Sequence, residues 1–103
     1  MQVAITEILD DLRAADEITR RYERRFWLSS ADFYALYQQG RLDNGEHNEE
    51  FAEWSGFYQI KLDREALLAT LSRERVHQLS EQSSGDLINI ESPEPVLKLA
   101  QPA

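Results

Sequence analysis

The side chains of this chain that could do chemistry are two histidines and many carboxylates. Glu74 and His77 have the Glu-x-x-His spacing of di-iron helical bundles, in which both side chains point into the bundle from successive turns. Such a site needs a second copy of the motif and further glutamates, and only association of two chains could double the motif here. We therefore predict no metal at this motif and expect His77 at a surface or an interface.

An acidic stretch lies at the middle of the chain and consists of Asp43, Glu46, Glu49, Glu50 and Glu53. Glu46 and Glu50 share a helix face, as do Glu49 and Glu53, because each pair is four residues apart. Carboxylate oxygens suit hard cations, but the glycine spacing of a calcium loop is absent. Negative charge also stabilises the start of a helix. The stretch is therefore predicted to be a solvated acidic face, with no metal and no cofactor.

The sequence contains no recognisable catalytic apparatus. His47 lies in the acidic stretch without a serine or cysteine nucleophile arranged around it, so no general base is predicted. The chain has no cysteine, which excludes disulfides and thiolate metal or redox sites. We expect a binding protein and not an enzyme.

The charge balance indicates the kind of partner. The chain has 11 Lys and Arg against 19 Asp and Glu, a net charge of -8, and phosphate backbones attract the opposite sign. Four arginines cluster at Arg20, Arg21, Arg24 and Arg25, but acidic residues interleave with them, so ion pairs within a helix explain them. We predict no direct binding to nucleic acid and expect a basic protein surface as the partner.

The position of the apolar residues argues for a cytoplasmic chain. The residues after Met1 lack the basic start and apolar run of a signal peptide. The uninterrupted apolar stretches are only a few residues long, far below the roughly 20 residues that a membrane span needs. We expect cytoplasmic localisation and no membrane association.

A long first helix is predicted from about Val3 to Leu28. Its apolar residues recur at steps of three and four, with Leu9, Ile18 and Trp27 widening the stripe. The main stripe consists of Ile5, Ile8, Leu12, Ala15, Thr19, Tyr22 and Phe26. Such a helix extends nearly 40 Å at about 1.5 Å per residue, which predicts an elongated molecule.

A short second helix is predicted between a serine cap, at Ser29 or Ser30, and a left-handed stop at Gly40. Asn44 and Gly45 then form a turn signal. A third helical stretch begins near Glu46 and continues to Leu79, and Gly56 or Asp63 is a candidate position for a kink or a break.

The residues after Gly85 are short, β-prone segments separated by prolines. The predicted organisation is therefore a helical domain at 1–82 and an extended tail at 83–103. The apolar residues of the tail either pack on the helices of the chain or become ordered on a partner as an added strand. The fold prediction is all-α: a long helical hairpin, a short helix at the bend, and an extended β-prone C-terminal tail.

Aromatic residues crowd into the middle third, and their arrangement resembles a known family. The segment Tyr22-Glu-Arg-Arg-Phe-Trp-Leu-Ser-Ser-Ala-Asp-Phe-Tyr-Ala-Leu-Tyr-Gln-Gln-Gly40, followed by Glu53-Trp-Ser-Gly-Phe-Tyr58, is similar to small acidic prokaryotic antitoxins. These include the partners of small ribonuclease-like toxins of the TumE type and RelB-like forms. Where that pattern has Tyr-Gly before the Ser-Ser cap, this chain has Phe26-Trp27-Leu28.

The resemblance implies a protein that neutralises a basic toxin by steric occlusion. The spacing of the apolar residues along the first helix also suits a homodimer, so we expect a homodimer or a hetero-oligomer. The expected contacts are an aromatic edge, the acidic stretch for electrostatic steering, and the tail as a clamp. The predicted partner-binding residues are Phe33, Tyr34, Tyr37, Glu46, Glu49, Glu50, Glu53, Trp54, Tyr58, Leu87, Ile88, Ile90, Val96, Leu97 and Leu99. The alternative is a structural or assembly protein that homo-oligomerises through its helical hairpin.

Overall fold

The computed structural model describes residues 4–43, 45–83, 85 and 87–98. Across these residues the chain forms three helices, α1 (Ile5–Phe26), α2 (Ser30–Gln38) and α3 (Asn48–Gln82), and no β-strand. The prediction of an all-α protein is therefore confirmed. The molecule is elongated, with extents of 60 × 33 × 21 Å. The predicted turn residue Asn44 and the tail residue Leu99 lie outside the described residues.

Helix α1 buries one face and ends abruptly. Ile8, Ala15 and Tyr22 are buried and are spaced by seven residues, so they lie on one side of the helix. The helix ends at Phe26, because Trp27 adopts the left-handed conformation with φ 56° and ψ 44°. Trp27 is 85% exposed. Its predicted place in the buried stripe is therefore wrong, since the residue lies one step beyond the helix.

Helix α2 begins and ends through local backbone chemistry. The Ser29 side chain caps its first turn by accepting a hydrogen bond from the Asp32 amide, at 3.1 Å. At the other end Gly40 has φ 67°, and the amides of Gly40 and Arg41 donate to the carbonyls of Tyr37 and Leu36. That pair of bonds is a Schellman motif, which glycine favours because it lacks a Cβ. Both predicted signals are confirmed.

Helix α3 is continuous over 35 residues. Gly56 and Asp63 lie inside it without ending it. Arg64 forms an ion pair with Asp11 at 2.8 Å, and Lys61 forms one with Asp16 at 3.1 Å. From the first pair to the second, the residue number rises from 11 to 16 on α1 and falls from 64 to 61 on α3. The two helices therefore run antiparallel.

Two buried clusters hold the helices together, one near each end of α1. The first contains Ile8, Leu71 and Leu97, so a tail residue completes it. The second contains Tyr22, Phe33 and Trp54 and joins all three helices. The start of α1 and the end of α1 are thus fixed by different parts of the chain.

Candidate protein-interaction surfaces

Stacked aromatic rings position α2 against the two long helices. The ring of Phe33 lies 3.8 Å from the ring of Trp54, centroid to centroid, with only 4° between the planes. Tyr22 and Phe26 of α1 stack on the same indole at 5.5 and 5.9 Å. Such contacts add specific geometry to the burial of large apolar surfaces. The rings fix where the acidic start of α3 and the outer edge of α2 are presented.

A carboxylate and a hydroxyl complete this cluster with hydrogen bonds. Ser30 Oγ accepts from Trp54 Nε1 at 2.8 Å and donates to Glu23 Oε2 at 2.7 Å, and the Ser30 amide donates to the same oxygen at 2.9 Å. Burial opposes ionisation of Glu23, but the bonds from Ser30 and Arg20 outweigh it and lower the pKa of Glu23 below its ordinary value. An ionised glutamate of α1 therefore holds the start of α2.

The predicted aromatic edge divides into buried and accessible rings. Phe33 is 1% exposed and Trp54 is 0% exposed, so neither side chain has a surface that a partner could contact. Both stabilise the fold instead and are removed from the candidate interface. Tyr34, Tyr37 and Tyr58 are half-buried at the rim. Tyr34 of α2 and Tyr58 of α3 lie together, with 5.3 Å between ring centroids, and both remain partly accessible.

The acidic stretch lies at the start of α3, where the helix dipole favours it. Glu46, Glu49 and Glu53 are exposed. Glu50 is half-buried and forms ion pairs with Arg25 of α1 and with His47, the latter at 3.2 Å. Three of the four predicted glutamates therefore present charge to solvent, while Glu50 ties the start of α3 to the end of α1.

Among the described residues, one apolar side chain and three hydrogen bonds attach the tail to the opposite end of the molecule. Leu97 is 1% exposed and packs with Ile8 and Leu71. The remaining attachments join helix side chains to the tail: Thr6 Oγ1 donates to Glu94 Oε1 at 2.9 Å, Arg75 to the Glu91 carbonyl at 2.9 Å, and Gln78 to the Val96 carbonyl at 3.3 Å. The segment 91–97 thus packs on the chain's own helices.

The other large apolar residues that the structure describes in the tail face solvent. Leu87 is 89% exposed, Ile90 75%, Val96 64% and Ile88 46%. Each is a large aliphatic side chain, and burying one is worth about 1.5–3 kcal/mol. Leu97 therefore serves the fold, whereas these four residues form the candidate adhesive part of the tail.

The predicted interface residues occupy two separate places. The aromatic rim and the acidic stretch lie beside the end of α1, while the tail lies beside its start. The 22 residues of α1 span about 33 Å. A partner that contacts both places has to extend along the long axis of the molecule.

Trp27 is an exposed aromatic residue that the sequence analysis did not include among the binding residues. It lines an open concavity of about 410 Å³ together with Arg20, Glu23 and Arg24. A tryptophan at such exposure is the kind of side chain that anchors interfaces. The signal available in the sequence was its position: Trp27 lies directly before the Leu-Ser-Ser segment that ends one helix and caps the next.

The histidines and carboxylates that resembled a metal site are dispersed. His77 is exposed on α3 and pairs with Glu81 at 3.2 Å, and His47 packs its ring edge-on against Phe26. Within the described parts of the chain, no three His, Asp or Glu side chains are grouped closely enough to hold a metal ion.

Comparisons and hydropathy identify no relative or membrane segment. None of the helices formed by the described residues combines the length and apolar character needed to cross a membrane. No protein-family model, curated protein or solved structure matches this chain.

Proposed function

We propose that this chain is an antitoxin-like cytoplasmic protein that binds a small, basic ribonuclease-type toxin and blocks its RNA-binding surface. The observation that carries the proposal is the tail, which presents Leu87, Ile90 and Val96 to solvent at 89, 75 and 64% exposure. Covering aliphatic side chains at this exposure by a partner lowers the free energy of the complex. The tail is therefore the proposed clamp.

Charge supports a basic partner. The chain has a net charge of -8, and the exposed carboxylates of Glu46, Glu49 and Glu53 concentrate negative charge at the start of α3. Complementary charge speeds encounter and selects the partner more than it adds affinity. The acidic surface would steer a toxin whose own active surface is positive because it binds RNA.

The shape of the molecule supports inhibition by steric occlusion. The acidic end and the tail are separated by the length of α1, about 33 Å. A partner held at both points would be covered along one side. In this proposal the chain itself performs no catalysis, binds no metal and contacts no nucleic acid directly.

The experiment is co-expression of the chain with its neighbouring genes, followed by purification and a growth assay of each neighbour alone. If the proposal is correct, we expect to recover a basic partner protein in stoichiometric amount. This partner should arrest growth and cleave RNA on its own, and it should be inactive in the complex. Recovery of the chain without any such partner contradicts it.

A pair of matched variants tests the role of the tail in that complex. Ile90→Asp places a charge on the clamp and should weaken partner binding at least about tenfold. Leu62→Asp places the same charge on a similarly apolar residue of α3 that is 43% exposed, and should leave binding unchanged. Equal effects of the two variants contradict a specific clamp.

The alternative function is a structural or assembly protein whose α1–α3 hairpin pairs with other copies. The half-exposed aliphatic residues Leu9, Ile60 and Leu62, at 47, 40 and 43% exposure, favour it, since helix pairing would cover such residues. A lone protein that forms a stable oligomer and binds no toxin would support this function over the antitoxin role.

A further inference from the structure

The concavity at Trp27 complements one kind of ligand. It combines an indole that is 85% exposed with the guanidinium group of Arg24, and its other two lining residues, Arg20 and Glu23, pair with each other. Within the described residues Arg24 forms no ion pair. An apolar side chain next to a carboxylate would satisfy both groups, since the first covers the indole and the second pairs with the cation.

The tail of this chain contains such a pair. Ile90 is 75% exposed and is followed directly by Glu91, which is also exposed, and Leu87 at 89% exposure adds a second aliphatic side chain. The net charge of -8 makes the arginines next to Trp27 an unusual feature of the surface. The segment 87–91 therefore matches the concavity in both apolar character and charge.

The tail cannot reach the Trp27 of its own chain. Glu94 accepts a hydrogen bond from Thr6 at 2.9 Å, and Thr6 is 21 residues before Trp27, which is about 31 Å along the helix axis. Ile90 is four residues from Glu94, and four extended residues span at most about 14 Å. A different copy of the chain has to supply the segment.

We infer that the outer face of α1 is a self-association surface, on which Trp27 of each copy binds the segment 87–91 of the other copy. Thr6, Arg13 and Arg20 are spaced by seven residues, so they lie along one side of α1 with a drift of only about 20° per seven residues. Trp27 follows directly after the helix and lines one concavity with Arg20 of this side. Each copy thus presents the tail at one end of this side and the Trp27 concavity at the other end. Antiparallel pairing of two such faces joins both ends at once, as a two-fold interface requires.

The charges on the same face agree with that pairing. In an antiparallel register that places Asp10 opposite Arg20 of the second copy, Arg13 lies opposite Glu17 of the second copy. Symmetry repeats both attractive pairs, and all four side chains are exposed. Arg20 also pairs with carboxylates of its own helix, so the second copy adds a further carboxylate to it.

That register brings Trp27 to the correct level of the other tail. It places Trp27 just before the start of α1 of the second copy. Arg64 lies opposite Asp11, so Arg75, eleven residues further along α3, lies at a level just before the start of α1. Arg75 holds the carbonyl of Glu91 at 2.9 Å. The register that pairs these charges is therefore also one in which Trp27 can contact the tail of the other copy.

This inference stands apart from the proposed function, because it requires no partner other than a second copy. It has one consequence for that function: the toxin and the second copy would compete for Ile90 and Leu87. Self-association would then cover the adhesive tail until a partner replaces it.

The first test is the solution mass of the full chain by sedimentation velocity over a range of concentrations. We expect a reversible dimer with twice the chain mass of 12.0 kDa. Trp27→Gly and Ile90→Asp should each weaken dimerisation at least about tenfold, while Leu62→Asp should not. Circular dichroism at 222 nm verifies that each variant keeps its helices. A wild-type monomer throughout, or a dimer insensitive to Trp27→Gly and Ile90→Asp, overturns the inference.

A mixing experiment tests whether the two residues contact each other. In a heterodimer of Trp27→Gly and Ile90→Asp chains, one of the two contacts is wild type, because one chain supplies Trp27 and the other supplies Ile90. The mixture should therefore associate more tightly than either variant alone. A mixture no tighter than the two variants alone would show that Trp27 and Ile90 do not form one contact, which also overturns the inference.

Discussion

The indole nitrogen of Trp54 on α3 donates a 2.8 Å hydrogen bond to the hydroxyl of Ser30, the first residue of α2. Ser30 is 3% exposed and Trp54 is fully buried. The same hydroxyl donates to Glu23 of α1, so one oxygen atom links all three helices. The position of α2, and with it the aromatic rim, depends on this oxygen as well as on ring stacking.

Ser30→Ala should lower the free energy of unfolding by about 1–3 kcal/mol, because it leaves the buried indole N–H without an acceptor. Urea denaturation followed by circular dichroism measures the change. Ser72→Ala, at an exposed position of α3, is the matched control and should stay within about 0.5 kcal/mol of wild type. Equal stabilities for the two variants would mean that the hydroxyl does not link the helices.

The ionised Glu23 predicts a pH dependence of stability. Its pKa is lowered in the folded protein, so its contribution is present above the ordinary pKa of glutamate and is lost as the pH falls through the folded-state pKa. Wild type should exceed Glu23→Gln in stability by about 1 kcal/mol near neutral pH.

Urea denaturation from neutral pH to about pH 3 tests this sign. The stability difference between wild type and Glu23→Gln should shrink as the pH falls below the ordinary glutamate value. A stability difference that is constant over the whole range would show that the charge of Glu23 does not contribute to stability. A difference that grows on acidification would contradict the predicted direction of the pH dependence.

The sequence predicted those features of the fold that depend on neighbouring residues. The cap at Ser29 and the stop at Gly40 were predictable because each needs only a hydroxyl or a missing Cβ at a fixed place in a turn. Helix α1 was predictable from the alternating steps of three and four residues between its apolar positions, because this spacing also depends only on residues near in sequence. Ile8, Ala15 and Tyr22 repeat along one side of the helix.

The candidate site was less predictable because it depends on contacts distant in sequence. Leu97 is buried whereas the adjacent Val96 is exposed, and composition does not distinguish them, since only the position of Ile8 and Leu71 decides which side chain is covered. Trp54 is similarly of a residue type that often anchors interfaces, but it is buried because α2 folds over it. Trp27 continues the apolar periodicity of α1, yet its left-handed backbone turns it out of the stripe.

The attachment of the tail through Leu97 predicts local rather than global unfolding in a variant. Leu97→Ala should release the segment 87–98, because the loss of a buried leucine costs about 2–5 kcal/mol and this segment has few other attachments. Limited proteolysis should cleave this segment at least about tenfold faster while the helices stay intact. Val96→Ala changes the neighbouring exposed residue and should leave the cleavage rate unchanged.

Release of the tail must also depend on Leu97 more than on the polar attachments. Thr6→Val removes the donor to Glu94, and this contact is exposed to solvent, so it should contribute at most about 1 kcal/mol. Faster cleavage of the segment in Thr6→Val than in Leu97→Ala would mean that hydrogen bonding, and not burial, attaches the tail.

Trp27→Gly should stabilise the chain even though it removes a large aromatic side chain. Trp27 has φ 56°, where a residue with a Cβ pays about 1–2 kcal/mol that glycine does not. Its indole is 85% exposed, so little burial is lost. The free energy of unfolding should therefore rise by about 1 kcal/mol in urea denaturation at a protein concentration low enough to keep all variants monomeric.

Trp27→Ala keeps the Cβ in the same conformation and should give no such gain. Equal gains in both variants would assign the effect to the loss of the indole and not to relief of the backbone. A gain confined to glycine would show that the chain carries a strained, exposed tryptophan at a cost in its own stability.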